Sequence, residues 1–289
     1  MAIGVTFRDR RRKIVSRLVE VACAGSVLVA LTPLALVLYF VLSQGLPALN
    51  LGFFTNMPKP VGEPGGGMAN AMVGTLILIG IATAVAVPVG VVSGVFLSEY
   101  KRSRLGSAVR FAADVLNGVP SIVIGVFAYA VAVRPFRRFS ALAGGLALGV
   151  MMLPLIVRTT EELLRLVPES FKEGALALGA TRSRAVWTVI LPAALPGIVT
   201  GLLVALARVA GEPAPLLFTS LNNAYFSTHL GQPIASVTVQ VYTYANSPYE
   251  DWHRQAWAGA TMLIAAVLFF SLLARFMTRR LERMHRGAA

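Results

Sequence analysis

The sequence is poor in the residues that most chemistry needs. It has one cysteine, Cys23, and three histidines, His229, His253 and His285, in 289 residues. A lone thiol excludes an intrachain disulfide and any site built from several cysteines. The histidines are far apart in loop or tail positions, so they are expected to be solvated and not to act as metal ligands. No paired carboxylates and no nucleophile–base spacing stand out, which leaves no convergent set for an enzyme acting on lipid or on anything else. No G-x-x-x-x-G-K-[ST] loop occurs either, so the chain has no visible means of hydrolysing a nucleotide. The run Gly65–Gly67, within the segment Ser43–Ala69 that also holds Gly62 and Pro64, is followed by no lysine and reads as a flexible connector.

Charge is scarce as well. Only 13% of residues are charged and 56% are hydrophobic, with a mean hydropathy of +0.71. Acidic residues number 13 against 26 basic ones, a net charge of +13. Such an apolar chain is not a disordered basic tail, and it does not suit a soluble nucleic-acid binder, whose cations would cover a wet surface.

What the chain has instead is long uncharged runs. A membrane-spanning helix needs about 20 mostly apolar residues to cross roughly 30 Å of hydrocarbon. Six stretches qualify: Val19–Leu42, Asn70–Leu97, Phe111–Val133, Ser140–Leu163, Leu191–Ala210 and Ala256–Met277. The first is too long for a cleaved signal peptide, and no small-x-small site closes it. The expected class is therefore an all-α, polytopic membrane protein with six transmembrane helices.

Basic residues set the orientation. Six precede the first span: Arg8, Arg10, Arg11, Arg12, Lys13 and Arg17. If that end is cytoplasmic, so are Lys101, Arg102, Arg104, Arg110, Arg158, Arg165, Lys172, Arg182 and Arg184, and the C-terminal Arg275, Arg279, Arg280, Arg283 and Arg286. Twenty of the 26 basic residues then mark one side, with both termini on it. Arg134, Arg137 and Arg138 are the local exception. Three small-xxx-small pairs, Gly90/Gly94, Gly145/Gly149 and Gly197/Gly201, fall inside spans, where they permit close helix approach or simply reflect a glycine-rich composition.

The segment between the fourth and fifth spans is patterned as a helix. Pro168 suits a first helical position, and Phe171, Ala175 and Leu178 share one apolar face. Glu169, Lys172 and Glu173 form the wet side. Gly179 is placed to end the helix in a left-handed conformation, and Thr181 to cap a second short one. Such a helix either lies on the membrane surface or offers its apolar face to a partner.

The string Glu173-Gly174-Ala175, three residues, Gly179, nine residues, then Val189-x-Leu191-Pro192 resembles the E-A-A-x3-G-x9-I-x-L-P signature of ABC importer permeases. Gly174 replaces the first alanine and Val189 the isoleucine. Five other stretches resemble the phosphate-import permeases of that family. They are Val157-Arg158-Thr159-Thr160-Glu161; Ala207-Arg208-Val209-Ala210-Gly211-Glu212, followed by Ala214-Pro215-Leu216-Leu217-Phe218-Thr219; Gly118-Val119-Pro120-Ser121 through Gly125; and Gln232-Pro233 with Trp257 and Gly259. The resemblance implies a type I ABC importer permease (MetI-like) fold. Residues 1–69 would hold the N-terminal cytoplasmic segment, first transmembrane helix and external loop, 70–280 a five-helix transport core, and 281–289 a tail. Coupling helices at 168–189 would dock a separate ATPase through Phe171, Glu173, Ala175, Leu178 and Gly179. It also implies a heterodimer with a companion phosphate permease, two copies of a cytoplasmic ATPase and an external phosphate-binding protein. ATP and Mg would act on the partner ATPase, with no cofactor on this chain, in the cell inner (plasma) membrane.

Ionisable residues within spans are the candidate substrate path, because burying an unpaired charge is costly. Arg208 follows an uncharged run from Ala185 to Ala207, with Glu212 four residues on as a possible partner. Arg158 lies in the inner half of the fourth span beside Glu161 and Glu162, where it either contacts an anion or snorkels to headgroups. Asp114 stands one turn after Arg110, a spacing that would pair them. Asn117 and Ser121 flank the break expected at Pro120 and are lining candidates. Inorganic phosphate is the expected substrate. Another oxyanion such as sulfate or molybdate, or a secondary transporter, is the alternative, though no internal repeat favours the latter.

Overall fold

The computed structural model describes residues 7–63 and 65–286. The extremes of the chain, 1–6 and 287–289, lie outside the described residues, as do Pro64 and the side chain of His285. Helices follow one another without a strand among the described residues: α1 (Phe7–Gly45), α2 (Leu51–Thr55), α3 (Ala69–Glu99), α4 (Arg104–Gly118), α5 (Ser121–Ala128), α6 (Ala141–Leu166), α7 (Glu169–Ala177), α8 (Arg182–Ala185), α9 (Leu191–Ala210), α10 (Ala214–Thr219), α11 (Val237–Ala245) and α12 (Glu250–Arg286). Single π-type turns extend α5 to Val133 and join α8 to α9.

Five of these stretches are long and apolar enough to cross a membrane: 11–48, 69–99, 141–166, 182–210 and 250–273. The expected third span, Phe111–Val133, is not one straight helix. It is split into α4 and α5, which meet at 109°. Pro120 has no N–H to continue the ladder, and it holds Val119 extended at φ −73°, ψ 129°. Counted as one broken span, the pair makes six.

The core forms where α3, α6 and α9 meet, around Leu78, Ala82, Met152, Ile156 and Ala205. α6 lies at its centre, with one face against α3 and another against α9. The three glycine pairs all lie at these crossings. A Cβ on Gly90 or Gly94 would strike Ile156 or Thr160, one on Gly145 would strike Ile81, and those on Gly197 and Gly201 would strike Leu163 and Thr159. Close backbone approach thus stands in for a hydrophobic driving force that lipid does not supply. The Gly94→Val side chain would begin 2.5 Å from the Thr160 Cβ and 2.9 Å from the Val157 carbonyl oxygen. It is expected to cost about 1–3 kcal/mol by overpacking, read as a lower melting temperature in detergent. Gly80→Val, where an added Cβ meets nothing within 4 Å, should melt close to wild type.

α1 is peripheral. It packs against α12, where the Thr261 hydroxyl donates to the Val41 carbonyl at 3.1 Å and Phe40 meets Trp257 edge-on at 5.2 Å. The segment 43–69 is more ordered than a flexible connector. Asn50 caps α2, Phe53 and Met68 are buried, and Met68 N–H donates to the Phe53 carbonyl at 2.9 Å. Its loop character is most marked around Gly62, Gly65 and Gly66, all at positive φ. At the same end of the bundle, the chain between α10 and α11 serves the start of α6. Amides of Ser140, Ala141 and Leu142 donate to the carbonyls of Thr219, Gln232 and Leu230, so those N-terminal donors are satisfied. At the other end, α12 continues unbroken to Arg286, so no structural break marks the expected boundary at residue 280.

Candidate functional site

The charged residues within the spans converge on Glu161, a carboxylate with 0% side-chain exposure in the C-terminal half of α6. Arg110 of α4 donates Nε to its Oε1 at 2.6 Å, and Arg165, one turn further along α6, binds the same oxygen. Arg158 donates to Oε2 at 3.1 Å. The other side of the Arg158 guanidinium faces Asp114 of α4, with Nε 3.0 Å from Oδ1 and a terminal nitrogen 3.4 Å from Oδ2. Three arginines thus share two carboxylates, leaving one excess positive charge. Arg110 also donates to the carbonyls of Leu97 and Lys101, satisfying acceptors where α3 ends.

One expected pairing is overturned by this arrangement. Arg110 does not bind Asp114 along α4; the two residues cross to Glu161 and Arg158 on α6. A buried acceptor on the facing helix gives Arg110 a drier, shorter contact than its half-exposed neighbour would. Of the two carboxylates beside Arg158 in sequence, Glu161 binds it and Glu162 points to the exposed side of α6.

Arg208 sits in the last turn of α9, exposed, and forms no ion pair with Glu212. α9 ends at Ala210 and Gly211 turns the chain, so Glu212 no longer follows one helical turn above Arg208. Asn117 is exposed in the last turn of α4, and Ser121 is half-buried at the start of α5; both flank the bend, as expected. Arg158 engages Glu161 and Asp114, while Arg208 sits further along the facing α9, in its last turn, and no contact joins them among the described residues. His253 is half-buried, its Nε2 2.6 Å from the Ser247 carbonyl, and His229 is exposed. Among the described residues no group of histidine, cysteine or carboxylate side chains could hold a metal ion. Burial raises the Tyr244 phenol above its ordinary value, opposed by a hydrogen bond with Gln240, so it stays neutral at physiological pH.

The segment after α6 folds as its pattern predicts. Pro168 occupies the N-cap of α7, one place before the expected first helical position. α7 ends at Gly179 with φ +85°, where Ala180 N–H donates to the Ala175 carbonyl and Gly179 N–H to Leu176. Thr181 caps α8, accepting from the Arg184 amide at 3.3 Å. No residue of α7 is buried. Leu178 is 91% exposed and Phe171 52%, with Glu173 exposed and Ala175 partly covered. This is an apolar face without a cover in the isolated chain.

Residues 86–286 match the model of the family described as binding-protein-dependent transport system inner membrane component. The chain belongs to this family. A relative from Yersinia pestis named phosphate transport system permease protein PstA is 41% identical over 267 residues, covering 92% of this chain and 90% of its own. Another of that name, from Xylella fastidiosa (strain Temecula1), is 42% identical over 94% of both chains. Among solved structures, the inward-facing MetNI methionine ABC transporter matches with a TM-score of 0.55 at 19% identity, over 75% of this chain and 93% of that one. The fold is therefore that of an ABC importer permease.

Within that permease fold, sequence reasoning left the hub unrecognised. Arg165 was legible only as an orientation charge, Arg110 as that and as a partner for Asp114, and Glu161 as a neighbour of Arg158 within the stretch Val157–Glu161. Their spacing held a signal: Arg158, Glu161 and Arg165 fall at i, i+3 and i+7, one face of α6. The pairs Lys172–Glu99 and Lys101–Glu169, which tie α7 to the end of α3, carried no such signal because about 70 residues separate each pair.

Proposed function

We propose that this chain is the transmembrane permease subunit of an ATP-driven inorganic phosphate importer. The observation that carries this reading is likeness over more than nine-tenths of the chain to proteins named phosphate transport permeases. Arg208, exposed and without an ion pair among the described residues, suits an oxyanion, since a guanidinium offers paired charge-assisted donors to phosphate. In this reading Arg208 meets phosphate toward the outside, with Glu212 nearby, and Arg158 meets it toward the inside, with Asn117 and Ser121 lining the bend. Glu161 and Asp114 keep Arg158 from holding the anion too tightly.

The chain would pair with a companion permease and with two copies of an ABC ATPase, which carries ATP and Mg. An external phosphate-binding protein would deliver the substrate. The ATPase would receive the α7 face of Phe171, Ala175 and Leu178, with Glu173 beside it and Gly179 fixing the turn. The chain would be inserted in the inner membrane, and the basic residues at the α7 end support both termini being cytoplasmic. ATP binding on the partners must favour one state of the bundle through contacts that differ between its states.

The test is uptake of labelled phosphate by the purified complex in liposomes, with sulfate and molybdate as competitors. Phosphate alone should compete fully; equal competition by sulfate would assign another oxyanion. Gly179→Glu should leave insertion and assembly intact while ATP hydrolysis proceeds without uptake. Full uptake by that variant would remove α7 from the coupling role.

A further inference from the structure

α7 is held to the bundle by charge at a specific place. Lys172 Nζ binds the Glu99 carboxylate, the last residue of α3, with both side chains about three-quarters covered (28% and 21% exposed). Beside it, Lys101 binds Glu169 at 3.3 Å, on far more exposed side chains. The two pairs are crossed: a cation and an anion of α7 meet an anion and a cation at the end of α3. No residue of α7 is buried, so apolar packing does little to fix its position. Between these elements lies an open groove of about 490 Å³ lined by Ser98, Tyr100, Leu164 and Pro168.

The end of α3 is also where Arg110 delivers its two terminal nitrogens, to the Leu97 and Lys101 carbonyls. The Nε of the same guanidinium enters the Glu161 carboxylate, whose second oxygen holds Arg158. A continuous polar chain therefore runs from α7 through the α3 terminus and Arg110 to Arg158. Its links are short, and all five of its side chains are mostly withdrawn from solvent. The covalent route from α7 back to α6 is short, through Val167 and Pro168, and reaches α6 alone; the ion pair adds a direct link from α7 to the end of α3.

We propose that the Lys172–Glu99 ion pair is the strut through which displacement of α7 moves the end of α3, and with it the Arg110–Glu161–Arg158 cluster. The proposal rests on the reading of α7 as the ATPase-docking helix. Lys172 and Glu99 are positioning residues; neither touches substrate. Glu169–Lys101, wetter and more weakly held, contributes less.

Charge exchange in the assembled complex, reconstituted in liposomes, tests this. Lys172→Glu and Glu99→Lys are each expected to lower anion uptake per ATP hydrolysed by about tenfold, the size of a typical coupling between sites. The ATPase should still co-purify. The double exchange should restore the ratio to within about threefold of wild type, which a general structural role of either residue would not do. Should a reversal prevent folding, the neutral Lys172→Gln is read instead, with the same direction and a smaller loss. An unchanged ratio in the single variants overturns the strut, as does a double exchange without recovery. Loss of the ATPase from the single variants also overturns it, because the charge would then serve docking itself. If wild type couples ATP hydrolysis to sulfate and not to phosphate, the substrate assignment fails and the ratio is simply read with sulfate. If Gly179→Glu transports fully, the docking role of α7 fails, whatever the exchange shows.

Discussion

Glu161→Gln is expected to destabilise the protein by about 3 kcal/mol, the lower end of what removing one partner of a buried ion pair costs. The substitution keeps the size of the side chain and removes its charge. Arg110, Arg158 and Arg165 would then share Asp114 alone, raising the local excess from one positive charge to two. Arg110 suffers most, since it is only 17% exposed and has no other carboxylate. Arg158 and Arg165, 31% and 40% exposed, recover part of their solvation, which is why the upper end of the range does not apply. Thermal unfolding of the purified chain in detergent measures the effect, and Glu161→Asp should fall between wild type and the glutamine variant. A glutamine variant that melts with wild type would mean that the cluster does not hold α4 against α6.

Arg208→Gln should have the opposite profile. Because Arg208 is exposed and forms no ion pair, its removal strands no partner, and melting temperature and assembly should stay at wild-type values. Uptake should drop by about two orders of magnitude, as befits loss of a charge-assisted contact worth about 1.5–3 kcal/mol. Arg208→Lys should recover only part of the loss, since an ammonium cannot present two parallel donors to an oxyanion. Normal uptake by assembled Arg208→Gln would exclude this residue from the anion path. Together the variants separate two uses of arginine in one membrane protein: one set satisfied by carboxylates and holding helices, and one residue left open.

Legibility in the sequence tracked the range of the interactions. The apolar runs, the glycine stop at Gly179 and the cap at Thr181 all depend on neighbours within a turn or two, and each took the form its local pattern implied. Pro120 was visible as a break, but the 109° turn was not, because the angle depends on where α4 and α5 pack once the helix is interrupted. The Arg110–Asp114 spacing suggested a pair along one helix. The facing helix supplied a buried acceptor instead, and local spacing gives no information about what lies across an interface. Segment 43–69 misled for a related reason: its glycines favour looseness, yet Phe53 and Met68 find a core contributed by α11 and α12.

By itself, then, the sequence determined that this is a helical membrane protein, where its helices stop, and how its charge is distributed along the chain. These follow from composition, hydropathy and capping, which act over a few residues at a time. Only the tertiary structure decided which of the scattered cations are spent on holding helices together and which remain open. That distinction rests on a single buried carboxylate, Glu161. Its partners come from two helices 51 residues apart in sequence, brought together because glycines let α3 and α6 approach closely and α4 close over them.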